Sequence, residues 1–266
     1  MPRVTHRWRN LKCALASFFL CLRATGFKVV HASSQRTLLG ATPALKSQPP
    51  ISSRAQGLRL SAPQLAGLLV VLPVFFQAPW VRVAPLQSTL FTLVLLAIGL
   101  RWGGSRGTVL VGFCGSWLAG SLFWGWLRLH PLWHLPVEAF ALPLALAGLS
   151  GPWRRAGQFY LGALIGTACT DLATALCGLM PLWPQVLQAD PLQAPLLLNQ
   201  AAQQVLQPTN LAIVSLMALP LLGFSAWLWE RGEGGRVMAV SLLSTLAVDG
   251  VFLGLALLAP QLSGLV

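Results

Sequence analysis

LFWGWLRLHPLWHLPVEAFALP, residues 122–143, poses the question on which the reading of this chain turns. Most of it is apolar, yet it holds Arg128, His130, His134 and Glu138 among three tryptophans and three prolines. Four ionisable side chains in so apolar a stretch need a physical reason.

The surroundings set the class. The chain is 55% hydrophobic and only 9% charged, with a mean hydropathy of +0.68. Soluble domains carry about 25% charged residues, so these polar groups cannot cover a globular surface. Apolar runs near membrane length recur at 64–80, 85–101, 107–127, 132–150, 157–179, 209–229 and 237–259. Each approaches the roughly 20 residues that cross about 30 Å of hydrocarbon. The expected fold is an all-α polytopic membrane helix bundle with six to seven transmembrane helices and the lipid bilayer as its partner. The run 64–80 is the weakest, because Pro73 removes a backbone donor.

The net charge of +12 does not indicate nucleic acid, because of where it sits. Ten of the 18 Lys and Arg lie in residues 1–59. From a cytoplasmic N-terminus, the inner connections hold Arg101, Arg106, Arg154, Arg155, Arg231 and Arg236, and the outer ones only Arg82 and Arg128. That asymmetry gives an N-in/C-out orientation. Trp80, Trp102, Trp124, Trp126, Trp133, Trp153, Trp183, Trp227 and Trp229 fall at segment ends, as an interfacial belt does.

Two regions divide the chain: a basic extension, 1–62, and a transmembrane domain, 63–266. The extension is Arg- and Ser-rich, and its run LASFFLCL (15–22) is too short to span. A transit peptide, a crude secretory signal and a disordered tail from an upstream start all fit it; the third is preferred. Within 180–208, Asp190 before Pro191 forms a helix start. Beyond it, Gln200, Gln203, Gln204 and Gln207 share one face, and Leu198, Ala202, Val205 and Leu206 another. This is a short amphipathic surface helix that lies on the outer membrane face or caps the bundle. Residues 190–207 are also the candidate surface for a membrane-protein partner.

Within the opening stretch, Arg128, His130, Trp133 and His134 read chiefly as interface anchors, since cationic side chains snorkel to that level. His130, His134 and Glu138 are spaced four apart, which on one helix would gather a metal-binding face. Pro131 and Pro136 interrupt that face, and no metal site is assigned. If Pro136 starts the fourth helix, Glu138 lies in its first turn. If Pro131 does, Glu138 is drawn a turn deeper, behind a kink.

Two acids lie in mid-segment: Asp171 in GALIGTACTDLATALCGL and Asp249 in SLLSTLAVDGVFLGLAL. Carboxylates at membrane depth face the bundle or water. Thr167 and Thr245 each precede an Asp by four residues, on the same helix face. Gly162/Gly166/Thr170 and Gly250/Gly254 are small-residue steps of the kind that lets helices approach closely. Asp171, Asp249, Thr167, Thr245 and Glu138 are therefore the candidate polar or proton site; interhelical hydrogen bonding is the structural alternative.

Diphosphate-binding acid clusters, zinc-protease, serine-hydrolase and phosphate-loop motifs are all absent from the sequence. Cys13, Cys21, Cys114, Cys169 and Cys177 form no paired spacing. No enzymatic activity and no cofactor is expected.

LPVFFQAPWVR (72–82), WLAGSLFWGWLRLHPLWHLPVEAFALP (117–143), FYLGALIGTACTDL (159–172) and STLAVDGVF (244–252) resemble the cyanobacterial integral-membrane proteins of domain of unknown function 3120. The resemblance covers about 65–260. It implies a thylakoid or plasma membrane, or a plastid membrane in a eukaryote, and brings no activity with it. Two functions remain open: a small-solute or ion transporter centred on the carboxylates, or a non-enzymatic assembly or stabilising factor for a photosynthetic membrane complex.

Overall fold

The structure, a computed structural model, describes residues 60–262. The basic extension up to residue 59, including the run 15–22, lies outside the described residues.

Among the described residues six helices are long and apolar enough to cross a membrane. They are α1 (Ala62–Val83), α2 (Pro85–Trp102), α3 (Gly104–Leu122, prolonged by a π-helical turn Phe123–Leu127), α6 (Arg154–Leu176), α9 (Pro208–Trp229) and α10 (Gly232–Leu258). Two short helices, α4 (His134–Glu138) and α5 (Leu142–Gly148), fill the interval between α3 and α6. Two more, α7 (Leu182–Gln188) and α8 (Ala194–Val205), precede α9.

α1 starts where the Gln64 side-chain carbonyl accepts the Ser61 N–H at 2.9 Å. It runs through Pro73 and Pro79 unbroken to Val83. A proline in a packed apolar helix is tolerated where neighbouring groups satisfy the freed backbone. The turn into α3 uses Gly103 and Gly104, both at positive φ (58° and 57°), a conformation that glycine alone adopts without strain.

Cross-helix contacts settle the topology. Phe113 stacks edge-on against Phe159 at 6.1 Å, and an added Cβ at Gly112 would strike the Ala156 backbone. Gly112, Phe113 and Gly115 of α3 thus meet Ala156, Phe159 and Tyr160 of α6 in the same order, and the two helices run parallel. Between them, Ala145 lies against Gly157, Ala141 against Tyr160, and His134 against Asp171. The α4–α5 segment therefore runs antiparallel to α6 along most of its length. It is the fourth pass of the chain along the bundle, built from two short helices joined by turn residues 139–141. Six long helices and one broken segment thus run seven times along the bundle, and Arg101, Arg106, Arg154, Arg155, Arg231 and Arg236 fall at one end of it.

Glycine sets the closest approaches. Gly162 packs on the Met238 backbone and Gly166 on Thr245, so α6 and α10 run parallel in near contact. At the basic end, Arg155 Nη2 meets Glu233 Oε2 at 2.5 Å, and the Ser105 hydroxyl donates to the same oxygen at 3.3 Å. Exposed as it is, this tie adds little stability. Its effect is to register the starts of α3, α6 and α10.

The core between α1, α2 and α3 is aromatic and, at one level, polar. The Trp117 ring meets Phe91 at 5.5 Å, Phe113 at 5.8 Å and Trp80 at 6.0 Å. Trp80, expected at the interface, is drawn into this cluster. The Trp117 indole N–H donates to Ser88 O at 2.9 Å. The Gln77 amide donates to Trp117 O at 2.6 Å and to Ser121 Oγ at 2.8 Å, and Ser121 pairs with Ser88 Oγ at 2.9 Å. Each of these side chains is buried and partnered, as an apolar bundle demands.

Candidate functional site

The crossing that breaks is the one that carries ionisable groups. Pro131 opens a 3₁₀ turn (Pro131–Trp133), and α4 follows for five residues. This is the second of the two starts open from the sequence: Glu138 ends α4 and stands just before the break.

His134 leaves the interface altogether. Its Nδ1 lies 2.9 Å from both oxygens of Asp171, and both side chains are mostly buried, 16% and 14% exposed. One proton, carried by Nδ1 or by the carboxyl group, suffices to bond the pair. Phe123, fully buried, packs on the imidazole at 4.5 Å, and Trp183 stands 6.0 Å from it. Trp124 stacks on Trp183 at 5.7 Å, closing the outer side. The π-helical turn at the end of α3 presents Phe123 and Trp124 there; such turns occur often at functional sites. The Trp183 indole N–H, donating to Arg128 O at 2.8 Å, fixes α7 over the group.

Glu138 is within electrostatic reach of His134 and Asp171. Asp249 is within reach of Asp171 and His134, and the Thr170 hydroxyl lies beside it. One oxygen of Asp249, Oδ2, is buried with no hydrogen-bond partner. Three carboxylates and one imidazole thus converge from α4, α6 and α10.

Several expectations change here. Asp171 sits five residues before the end of α6 and Asp249 nine before the end of α10. At about 1.5 Å per residue the group belongs to the outer half of the bundle rather than its middle. The threonine beside Asp249 is Thr170 of the facing helix, not Thr245. The Thr245 hydroxyl donates to Ser241 O at 3.1 Å within its own helix, and its methyl side packs on Gly166. Thr167 supplies a backbone carbonyl to Thr170 at 3.0 Å. Bonding to the preceding turn is the usual resort of a helical threonine, and the Gly166–Thr245 register brings position 170 opposite 249.

Of the expected interface anchors, Arg128, His130 and Trp133 are exposed at the outer end and His134 is not among them. The three residues spaced four apart divide: His130 stays outside while His134 and Glu138 join Asp171. Among the described residues no group of three His, Cys, Asp or Glu side chains is placed to hold a metal ion.

Over the outer end lies α8. Asp190 caps the turn into it, its Oδ1 accepting the N–H of Leu192 at 2.8 Å and of Gln193 at 2.9 Å. Asn199 donates to Ala256 O (2.9 Å) and Leu257 O (3.1 Å), and Gln204 to Cys177 O (2.8 Å). The helix thus caps the bundle by binding the carbonyls that end α10 and α6. Gln200, Gln203 and Gln207 remain exposed. The short helix α7, which brings Trp183 to the site, had no distinct signal in the sequence.

A family model described as "Protein of unknown function (DUF3120)" matches residues 66–257, which contain every residue of this group. Comparison with curated proteins and with solved structures gives no match.

Proposed function

The chain belongs to the DUF3120 family, and from that premise we propose that it is a proton-coupled carrier of a small solute or ion. The observation that supports this is the convergence of His134, Glu138, Asp171 and Asp249 on a broken crossing. Intramembrane carboxylates lie on ion and proton routes far more often than chance placement allows. Discontinuous helices at membrane depth mark the binding regions of many carriers. Neighbouring titratable groups load protons as a set, which is what coupling to a proton gradient requires.

In this reading, His134 and Asp171 form the exchanging pair, Asp249 with its free Oδ2 is the inner partner, and Glu138 is the member nearest the break. A membrane of cyanobacterial type, thylakoid or plasma, is the proposed location. A second reading, an assembly factor for a photosynthetic membrane complex, is supported by the exposed glutamines of α8 and the exposed Leu192, Leu196 and Leu206 beside them.

The deciding experiment uses purified protein in proteoliposomes with an imposed membrane potential and a pH dye inside. The wild type carries protons at a rate at least roughly ten times that of Asp171→Asn at equal incorporation, the loss expected when one member of a proton relay is removed. Equal rates for the two sink the carrier reading. A stoichiometric partner on gentle purification, lost when 190–207 is disrupted, would then favour the assembly role.

A further inference from the structure

The break at 139–141 leaves backbone groups that no helix satisfies, and one side chain takes up two of them. Tyr160 of α6, the chain's single tyrosine and 3% exposed, donates its hydroxyl proton to Glu138 O. The Tyr160 hydroxyl oxygen in turn accepts the Ala141 N–H at 3.2 Å. The hydroxyl therefore bridges the last residue of α4 to the first residue before α5. Its ring is seated by Gly115 of α3, where an added Cβ would come within 3.0 Å and 3.1 Å of ring carbons.

The remaining ties on α4 are few. It is five residues long, too short to be stable by itself. A turn and a 3₁₀ segment precede it, and the break follows. Beyond apolar packing, two polar latches hold it to the bundle: His134 on Asp171 at its start, and Tyr160 on Glu138 O at its end.

We infer that Tyr160 is a positioning residue of the site: its hydroxyl fixes α4 so that His134 and Glu138 meet Asp171 and Asp249. The role in transport rests on the carrier reading; the latch itself does not. The Tyr160 hydroxyl hydrogen-bonds to none of the four ionisable side chains, although it lies within electrostatic reach of Glu138. It acts through the backbone at Glu138 and Ala141.

Tyr160→Phe keeps the ring on Gly115 and removes only the bridge. Amide hydrogen exchange on the full chain in nanodiscs reads the latch directly. Exchange across 134–142 rises at least about ten-fold in Tyr160→Phe, as loss of a shared hydrogen bond opens a local unit, while α10 is unchanged. The imidazole ¹⁵N titration of His134, assigned by its absence in His134→Gln, moves by about half a pH unit as its distance to the carboxylates changes. Gly115→Ala, which keeps the hydroxyl but displaces the ring, shifts both readouts in the same sense by less, and it stands in should Tyr160→Phe fail to fold.

Faster exchange confined to Ala141, or none, overturns the inference. So does a loosened α4 with an unmoved His134 titration, which would make Tyr160 packing alone. Neither readout uses proton flux, so the carrier reading can fail on Asp171→Asn while the latch stands, or the reverse.

Discussion

At the scale of single residues, identical sequence patterns have opposite consequences here. Gly162/Gly166 and Gly250/Gly254 both read as small-residue steps. Gly162 meets the Met238 backbone, with Cα 3.1 Å from where a Cβ would stand, whereas Gly250 and Gly254 meet nothing within 4 Å. Gly162→Ala should therefore cost about 1–3 kcal/mol through forced separation of α6 and α10. Gly254→Ala should add stability of about 0.5–1 kcal/mol, because helix interiors disfavour glycine. Thermal unfolding midpoints of the two variants in one detergent check both signs. Gln77 is the polar counterpart. Gln77→Leu removes the side-chain bond to Trp117 O and one contact of the Ser121 hydroxyl, and should lower stability by about 1–2 kcal/mol. The sequence marked neither Gln77 nor Tyr160, because a lone amide or phenol inside an apolar run carries no spacing signal. It did mark His134, Glu138, Asp171 and Asp249, but His134 and Asp171 lie 37 positions apart and only the fold brings them together.

At the scale of elements, the informative departures are at the broken crossing and the outer cap. Pro131 starts the broken segment, and the backbone groups left open at its break, Glu138 O and the Ala141 N–H, are met by a tyrosine from another helix. Pro73 and Pro79, which weakened the expectation for the first span, leave α1 continuous. A proline's effect on a helix depends on whether neighbours meet the group it frees, which local sequence does not state. α8 was legible as an amphipathic helix because its two faces differ in the sequence itself. That it caps α6 and α10 through Asn199 and Gln204 was not. Asn199→Ala should speed amide exchange over the last turn of α10 and in α8, leaving α1–α3 unchanged. Uniform protection in that variant would show that the cap is held by apolar packing alone.

At the scale of the whole molecule, parity is the testable quantity. A crossing between α3 and α6 puts residue 130 and residue 151 on opposite sides. With the native cysteines replaced, His130→Cys should react with an impermeant maleimide from outside, and Gly151→Cys from the cytoplasmic side beside Arg154 and Arg155. Labelling of both from one side would reduce the crossings to six and invert α6, α9 and α10.

Composition and charge by themselves determined the class, the helical segments and the basic side, because burial of apolar length and the placement of Arg are additive along the chain. They also supplied the titratable groups. The tertiary structure alone decided that the fourth crossing is broken, which helices run parallel, and that Thr170 rather than Thr245 stands beside Asp249. Those outcomes depend on which helix faces which, at what register. That choice is made by close glycine approaches such as Gly112 on Ala156 and Gly166 on Thr245, between residues too far apart in the chain for any local pattern to pair.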